Sequence, residues 1–323
     1  MTWFRRNWFL AGLAAAVGLA WVFPSAGARG GFLHPEITIR AAVALIFFLQ
    51  GLTLALDALR HGALQWRMHV LVQAWNFALF PLIGLLLNRL VGGFLPPDLR
   101  TGFLFLCVLP TTISTAIVFT AVAGGNVAGA IFNATLSNLL GIVVTPLWTG
   151  WLMRAGGQSR SLGPVILEIV LLLLVPLAAG QALRPLLRWW VDPRKTRLAG
   201  VNSAIVLFIV YAAFAQSVAT KVWERSGLHS VLLAAAGVGL LFAVVMGVVR
   251  LTIRAAGLRD ADASAALFCA SQKTLAAGVP MAQVIFGAHP GLGLILLPVM
   301  LYHPLQLLVH GLIAVRWRGH PAG

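Results

Sequence analysis

Phe268-Cys-Ala-Ser-Gln-Lys-Thr-Leu-Ala-Ala-Gly278 sets an ammonium, an amide and two hydroxyls in the middle of a long hydrophobic segment. A lone ammonium at bilayer depth costs about 2.5–3.5 kcal/mol on insertion scales, so a chain keeps one only where protein or water surrounds it. Lys273 lies about a dozen residues from the charged groups upstream, and downstream the next lysine or arginine is Arg316. That spacing disfavours snorkelling to an interface and makes Lys273 a candidate functional group. A second hydrophobic segment carries a comparable interruption, Leu109-Pro-Thr-Thr-Ile-Ser-Thr-Ala116. At an offset of 159 residues Thr112 aligns with Ser271, Ser114 with Lys273, and Thr115 with Thr274. Pro146 in Thr-Pro-Leu-Trp and Pro304 in His-Pro-Leu-Gln follow at nearly the same offset.

The wider composition makes this an integral membrane protein: 60% of residues are hydrophobic and 10% charged. A helix needs roughly 20 apolar residues to span the hydrocarbon. Ten such segments are predicted, at about 8–26, 37–56, 70–90, 102–122, 128–151, 164–183, 199–219, 230–250, 261–288 and 292–315. The dyad alternation of a membrane β-barrel is absent, so the expected class is an all-α membrane protein. The offset of 159 divides it into two five-helix repeats, residues 1–158 and 159–323. Five is odd, so the second copy enters from the opposite side and the repeats are inverted. Inverted repeats place the binding site near the midplane, where discontinuous helices meet. The breaks are expected at Pro110–Thr115 and Ser271–Thr274, against the alternative of kinked helices whose Ser and Thr bond their own carbonyls.

The formal charge of +15 reads as topology and attraction to anionic headgroups rather than nucleic-acid binding. With the N-terminus inside, fourteen Lys and Arg fall on the inner face and eight on the outer, which puts both termini in the cytoplasm. Arg outnumbers Lys twenty to three, a GC-rich bacterial composition that suggests an inner membrane. Arg5-Arg6, the apolar run to Val22 and Ala26-Gly27-Ala28 also fit a signal peptide, but the repeat requires this segment as a helix. Trp3, Trp8, Trp21, Trp148, Trp151, Trp189, Trp190, Trp223 and Trp317 are expected as interface anchors. Cys107 and Cys269 have no metal or disulfide spacing. There is no Walker-type loop and no paired intramembrane carboxylates or His-Glu-x-x-His, so an enzyme is not expected.

Gly125-Asn-Val127, Asn133-Ala-Thr-Leu-Ser-Asn-Leu-Leu-Gly141, Thr145-Pro-Leu147 and Ser271-Gln-Lys-Thr-Leu-Ala-Ala-Gly-Val-Pro-Met281 are together similar to the bile acid:sodium symporter family. They most resemble its orphan branch, and the likeness spans nearly the whole chain. The resemblance implies ten helices, with a panel of spans one, two, six and seven and a core of spans three to five and eight to ten. Spans four and nine would cross, and access would alternate. It also implies sodium sites beside the crossing, with one ninth-span carboxylate. On this sequence that carboxylate position falls on Phe268, the asparagine after Gln272 becomes Lys273, and Asn76 stands for a third-span glutamine. The fourth- and fifth-span ligand positions become Ala116, Ile117, Ala130 and Ala134, unless a two-residue shift restores Ser114 and Thr115.

No acidic residue is near either crossing: Glu168 and Asp57 sit toward span ends, where Asp57 can pair with Arg60. Sodium would shed its water beside an ammonium, and two like charges about 4 Å apart repel by roughly 4 kcal/mol at an effective dielectric near 20. The expectation is that the Lys273 ammonium occupies an ion's place, held by oxygens of Gln272, Thr112, Ser114 and Thr115. Coupling is then to sodium, to protons or absent, with sodium at the family's usual site disfavoured.

Ser271, Thr274, Asn76, Asn133 and Ser137 complete the candidate solute and ion site, with Asn138 on the same face of span five. Residues at this spacing also serve as helix-packing glue. Gln50, Thr53, Asn202, Ser203 and Gln216 fit packing better than cavity lining, and His303 fits a satisfied buried histidine. The functional expectation is a secondary carrier of a small organic, anionic solute in the lipid bilayer, without a cofactor. The competing class is a membrane regulatory or ion-homeostasis protein without net transport. Oligomeric state has no sequence signature here.

Overall fold

The computed structural model describes residues 2–54, 65–155, 167–258, 260–287 and 289–318. Every regular element among them is helical. The expected Asp57–Arg60 pair and the 158/159 repeat boundary lie outside the described residues. Among the described residues, six helices are long and apolar enough to cross a membrane: Pro35–Thr53, Trp66–Phe94, Val127–Leu152, Leu167–Ala219, Gly227–Ala255 and Leu292–Trp317. The difference from the ten segments read in the sequence has local causes. Residues 102–122 and 261–288 are each two short helices, 167–219 runs on as one helical stretch, and the first apolar helix, Trp8–Val22, is shorter.

Backbone contacts group the chain into two compact units, the first comprising Met1–Leu54, Ser159–Gly227 and Ala276–Leu296. Its principal helices are α1 (Thr2–Val22), α2 (Pro35–Thr53), α8 (Val175–Val191) and α9 (Lys195–Ala219). α2 and α8 meet where Gly51 faces Gly180. A Cβ on Gly51 would lie 2.2 Å from the Leu177 carbonyl oxygen, and one on Gly180 2.2 Å from that of Phe48. Small residues bring two backbones this close in membrane bundles, where apolar side chains gain nothing by leaving lipid. The end of α2 is closed by α8: Gln181 Nε2 donates to the Gly51 and Leu54 carbonyls at 2.8 Å, and Arg184 to that of Leu52 at 2.6 Å. At the turn into α9, Asp192 pairs with Arg184, Arg188 and Lys195 at 3.6, 3.3 and 3.0 Å.

The second unit comprises Ala55–Gln158, Leu228–Leu275 and Leu297–Gly323. It is built on α3 (Trp66–Ala74), α4 (Phe80–Val91), α5 (Pro97–Val108), α6 (Ser114–Val122), α7 (Val127–Ala155), α11 (Asp260–Ser271) and the greater part of α10 (Val222–Ala255), beyond its kink at Gly227, and of α13 (Leu292–Trp317), beyond Leu296. The helix α12 (Leu275–Phe286) leads from it into the first unit's last segment. α3 joins α4 through one π-helical turn, Trp75–Leu79, just before Pro81. A π turn slips the helix register by one residue and frees backbone groups, a common device at functional sites. Trp75 is fully buried and donates to Thr252 Oγ1 at 2.8 Å.

Two tryptophans expected as anchors have another role. Trp148 donates to the Phe77 carbonyl at 2.9 Å, and Trp223 is buried and stacked on Phe214. Trp8, Trp21, Trp151, Trp189 and Trp190 are exposed, as anchors are.

Candidate solute and ion site

The site is built around two interruptions in the second unit. α5 stops at Val108 because Pro110 has no N–H and its ring forces the preceding residue out of the helical region; Leu109 is extended, at φ −69° and ψ 149°. α6 resumes at Ser114. Gln272-Lys273-Thr274 separates α11 from α12 without a proline. Both breaks fall in the polar stretches read from the sequence.

Broken helices free backbone groups that hydrocarbon would leave unsatisfied, and here protein meets them nearly one by one. The Cys107 and Leu109 carbonyls accept from Lys273 Nζ at 3.1 and 2.6 Å. The Val108 carbonyl accepts from Thr145 Oγ1 at 2.7 Å, and that of Pro110 from the Thr274 N–H at 3.0 Å. Thr111 donates its N–H to Ser137 Oγ at 3.2 Å, and its carbonyl accepts from Asn138 Nδ2 at 2.9 Å. Gly141 gives the break room, since a Cβ there would sit 2.6 Å from Pro110 Cγ. At the other break Gln306 serves Lys273 twice, accepting from its N–H at 2.8 Å and donating to its carbonyl at 2.9 Å. Tyr302 donates to the Ser271 carbonyl at 2.7 Å, and Ser271 Oγ lies 2.9 Å from His310 Nε2.

Lys273 is 1% exposed. Its ammonium also donates to the Asn76 carbonyl at 3.2 Å and lies 4.1 Å from the centre of the Phe80 ring. Three carbonyl dipoles and an aromatic face are favourable surroundings for a buried cation. This corrects the expected holding set: the oxygens on the ammonium are main-chain, not those of Gln272, Thr112, Ser114 and Thr115. Thr112 and Thr115 instead donate to Gln272 Oε1, Thr115 at 2.7 Å, and their own hydroxyls are 2.6 Å apart. Gln272 Nε2 is buried with no hydrogen-bond partner. Ser114 is exposed on the first turn of α6.

Asn76 contributes through its carbonyl, released by the π turn, while its Nδ2 donates to the Cys269 carbonyl at 3.2 Å. Asn133 lies away from the ammonium. Its Nδ2 donates to the Gly129 carbonyl at 3.0 Å, and its Oδ1 accepts from Gln73 at 3.3 Å. Thr274 is buried beside Lys273. Phe268, where the resemblance implied a carboxylate, is fully buried among Phe119, His310 and Trp317.

Sequence reasoning did not find Tyr302, Gln306 and His310. Their signal was a four-residue spacing of polar groups along one face of the last helix, like Asn133 and Ser137 on α7. His303, expected to be satisfied, lies with its Nδ1 2.9 Å from Gln306 Nε2.

The first unit holds a cavity of ≈ 500 Å³ lined in part by Arg29, Glu36, Arg40, Glu168, Gln283 and His289. Arg40 pairs with Glu168 at 3.2 Å, and Gln216, on the same wall, accepts from the Arg29 N–H at 2.9 Å. Gln283 Oε1 is buried there without a donor.

Polar groups gathered around interrupted helices inside an apolar bundle are what membrane carriers use to hold solutes and ions, and the protein falls in that class. A profile of the SBF-like CPA transporter family matches residues 7–319, and the chain belongs to this family, a bile acid:sodium symporter-like group of transporters and not of enzymes. It is 38% identical to the "Putative symporter YfeH" of Escherichia coli (strain K12), over 95% of this chain and 91% of that one. It is 37% identical to the "Uncharacterized protein PA2026" of Pseudomonas aeruginosa, over 96% and 92%. "Sodium/bile acid cotransporter 7" of Danio rerio is 35% identical, over 94% and 91%.

Proposed function

We propose that this protein is a secondary carrier of a small organic anion in a bacterial inner membrane, in which the fixed ammonium of Lys273 stands where relatives would place a mobile cation. The observation that carries this reading is the carbonyl cage: Asn76, Cys107 and Leu109 direct main-chain oxygens at Nζ from 3.2, 3.1 and 2.6 Å. A dehydrated alkali ion is held by the same kind of group. The aromatic packing of Phe268 supports it too, because it fills the position of the compensating carboxylate. Ten spans in two inverted repeats, 1–158 and 159–323, with both termini cytoplasmic, belong to the same reading. Support comes from the paired breaks and from the charge bias of the connections.

The anionic solute follows from the charge left in the cage, from the exposed Arg29 on the first unit's cavity, and from the name of the Danio rerio relative. A volume of ≈ 500 Å³ is of the order that drug-sized ligands fill. Thr112, Thr115, Gln272, Ser271, Thr274, Asn133 and Ser137 then shape the crossing rather than coordinate sodium.

Uptake of a labelled bile acid and a labelled steroid sulfate into proteoliposomes tests this. The expected result is uptake at equal rate in sodium and potassium media, and loss of uptake in Lys273→Met. Uptake that requires sodium, or that is unchanged in Lys273→Met, contradicts it.

A further inference from the structure

The second unit contains another cavity, ≈ 210 Å³, whose lining is nearly all hydrocarbon: Leu87, Phe94, Phe103, Cys107 and Leu240 among others. Its polar wall residue is Asn88, whose Oδ1 accepts from Arg100 Nε at 2.6 Å. The surrounding surface is apolar and exposed, with Leu86, Leu90, Phe94, Leu232 and Leu240 all uncovered by protein. In a membrane that surface meets lipid. Arg89 and Arg100 against Asp98 leave one net positive charge at this end of α4 and α5. Both arginines are exposed.

We infer that the cavity takes an acyl chain of one anionic phospholipid, with its phosphate on Arg100. A hydrocarbon slot whose polar wall residue, Asn88, is bound by an exposed guanidinium offers partners to both parts of a lipid, whereas a free anion would make no use of the slot. One basic group near an anionic headgroup contributes about 1 kcal/mol, a roughly fivefold preference over a zwitterionic lipid. The site bears on the Lys273 cage through one residue: Cys107 lines the cavity, and its carbonyl receives the Lys273 ammonium at 3.1 Å. A chain seated there fills space behind the last turn of α5 and steadies that carbonyl. This inference does not depend on what the protein carries.

Native mass spectrometry of the purified full chain, with phosphatidylglycerol or phosphatidylethanolamine added, reads the site directly. The wild type is expected to retain one phosphatidylglycerol about fivefold better than phosphatidylethanolamine. Arg100→Gln should remove the preference. Leu240→Trp, at a residue 47% exposed, should fill the slot and lower retention of both lipids. Ala236→Leu fills the same cavity and serves if that variant does not fold. Equal retention of the two lipids by the wild type, full retention after filling, or displacement of the lipid by inorganic phosphate would overturn the inference.

Discussion

Gln306 satisfies with one side chain both main-chain groups of Lys273, a residue that no longer belongs to a helix. Gln306→Leu would leave a buried N–H and a buried carbonyl unpaired, at about 1–3 kcal/mol each. A fall of several degrees in melting temperature in detergent is therefore expected, and an unchanged melting curve would contradict the role given to Gln306. Lys273→Met removes the donor from three carbonyls and the charge from between the two breaks. Its expected effect is at least a tenfold loss of bile-acid or steroid-sulfate uptake in proteoliposomes, measured per folded protein. Lys273 could be found in the sequence because an ammonium far from any partner in an apolar run is costly. Its cage could not, since main-chain carbonyls belong to every residue, and which of them point inward depends on where two helices break.

At the scale of elements, the break after Val108 was legible through Pro110, which cannot continue a helix, and through the hydroxyl run that follows. The break at Gln272 was legible through the polar run Ser271-Gln-Lys-Thr274 and its alignment with the first, without a proline to mark it. The π turn at Trp75–Leu79 left no trace, because its residues are ordinary helix residues and the register slip comes from packing. It is the Asn76 carbonyl, within that turn, that meets Lys273, a main-chain contact that the identity of the side chain does not announce. Thr145→Val keeps the volume but removes the hydrogen bond to the Val108 carbonyl, so α5 should lose about 1 kcal/mol of stability. Thermal unfolding of the variant beside wild type checks this. Gly51→Val is expected to be far more severe. Its Cβ would meet the Leu177 carbonyl at 2.2 Å, which only a shift of α2 from α8 relieves. Size-exclusion chromatography should show aggregation or loss of the folded peak.

For the molecule as a whole, membrane class followed from composition, and the repeat offset pointed to the two breaks that gather the polar groups. Distribution of those groups was beyond the sequence. Asn133 and Ser137 share a helix face with four-residue spacing, yet Ser137 holds the Thr111 N–H while Asn133 ties α7 to Gln73. In the proposed mechanism a tethered ammonium stands in for a mobile cation. A ligand that binds the folded state raises its melting temperature by mass action, by about 2.7 kcal/mol at one hundred times its dissociation constant. The decisive measurement is the melting temperature of the purified protein titrated with sodium chloride against choline chloride at matched ionic strength. The two curves should superimpose; a saturable rise confined to sodium would show that a mobile cation still binds, and would contradict the claim.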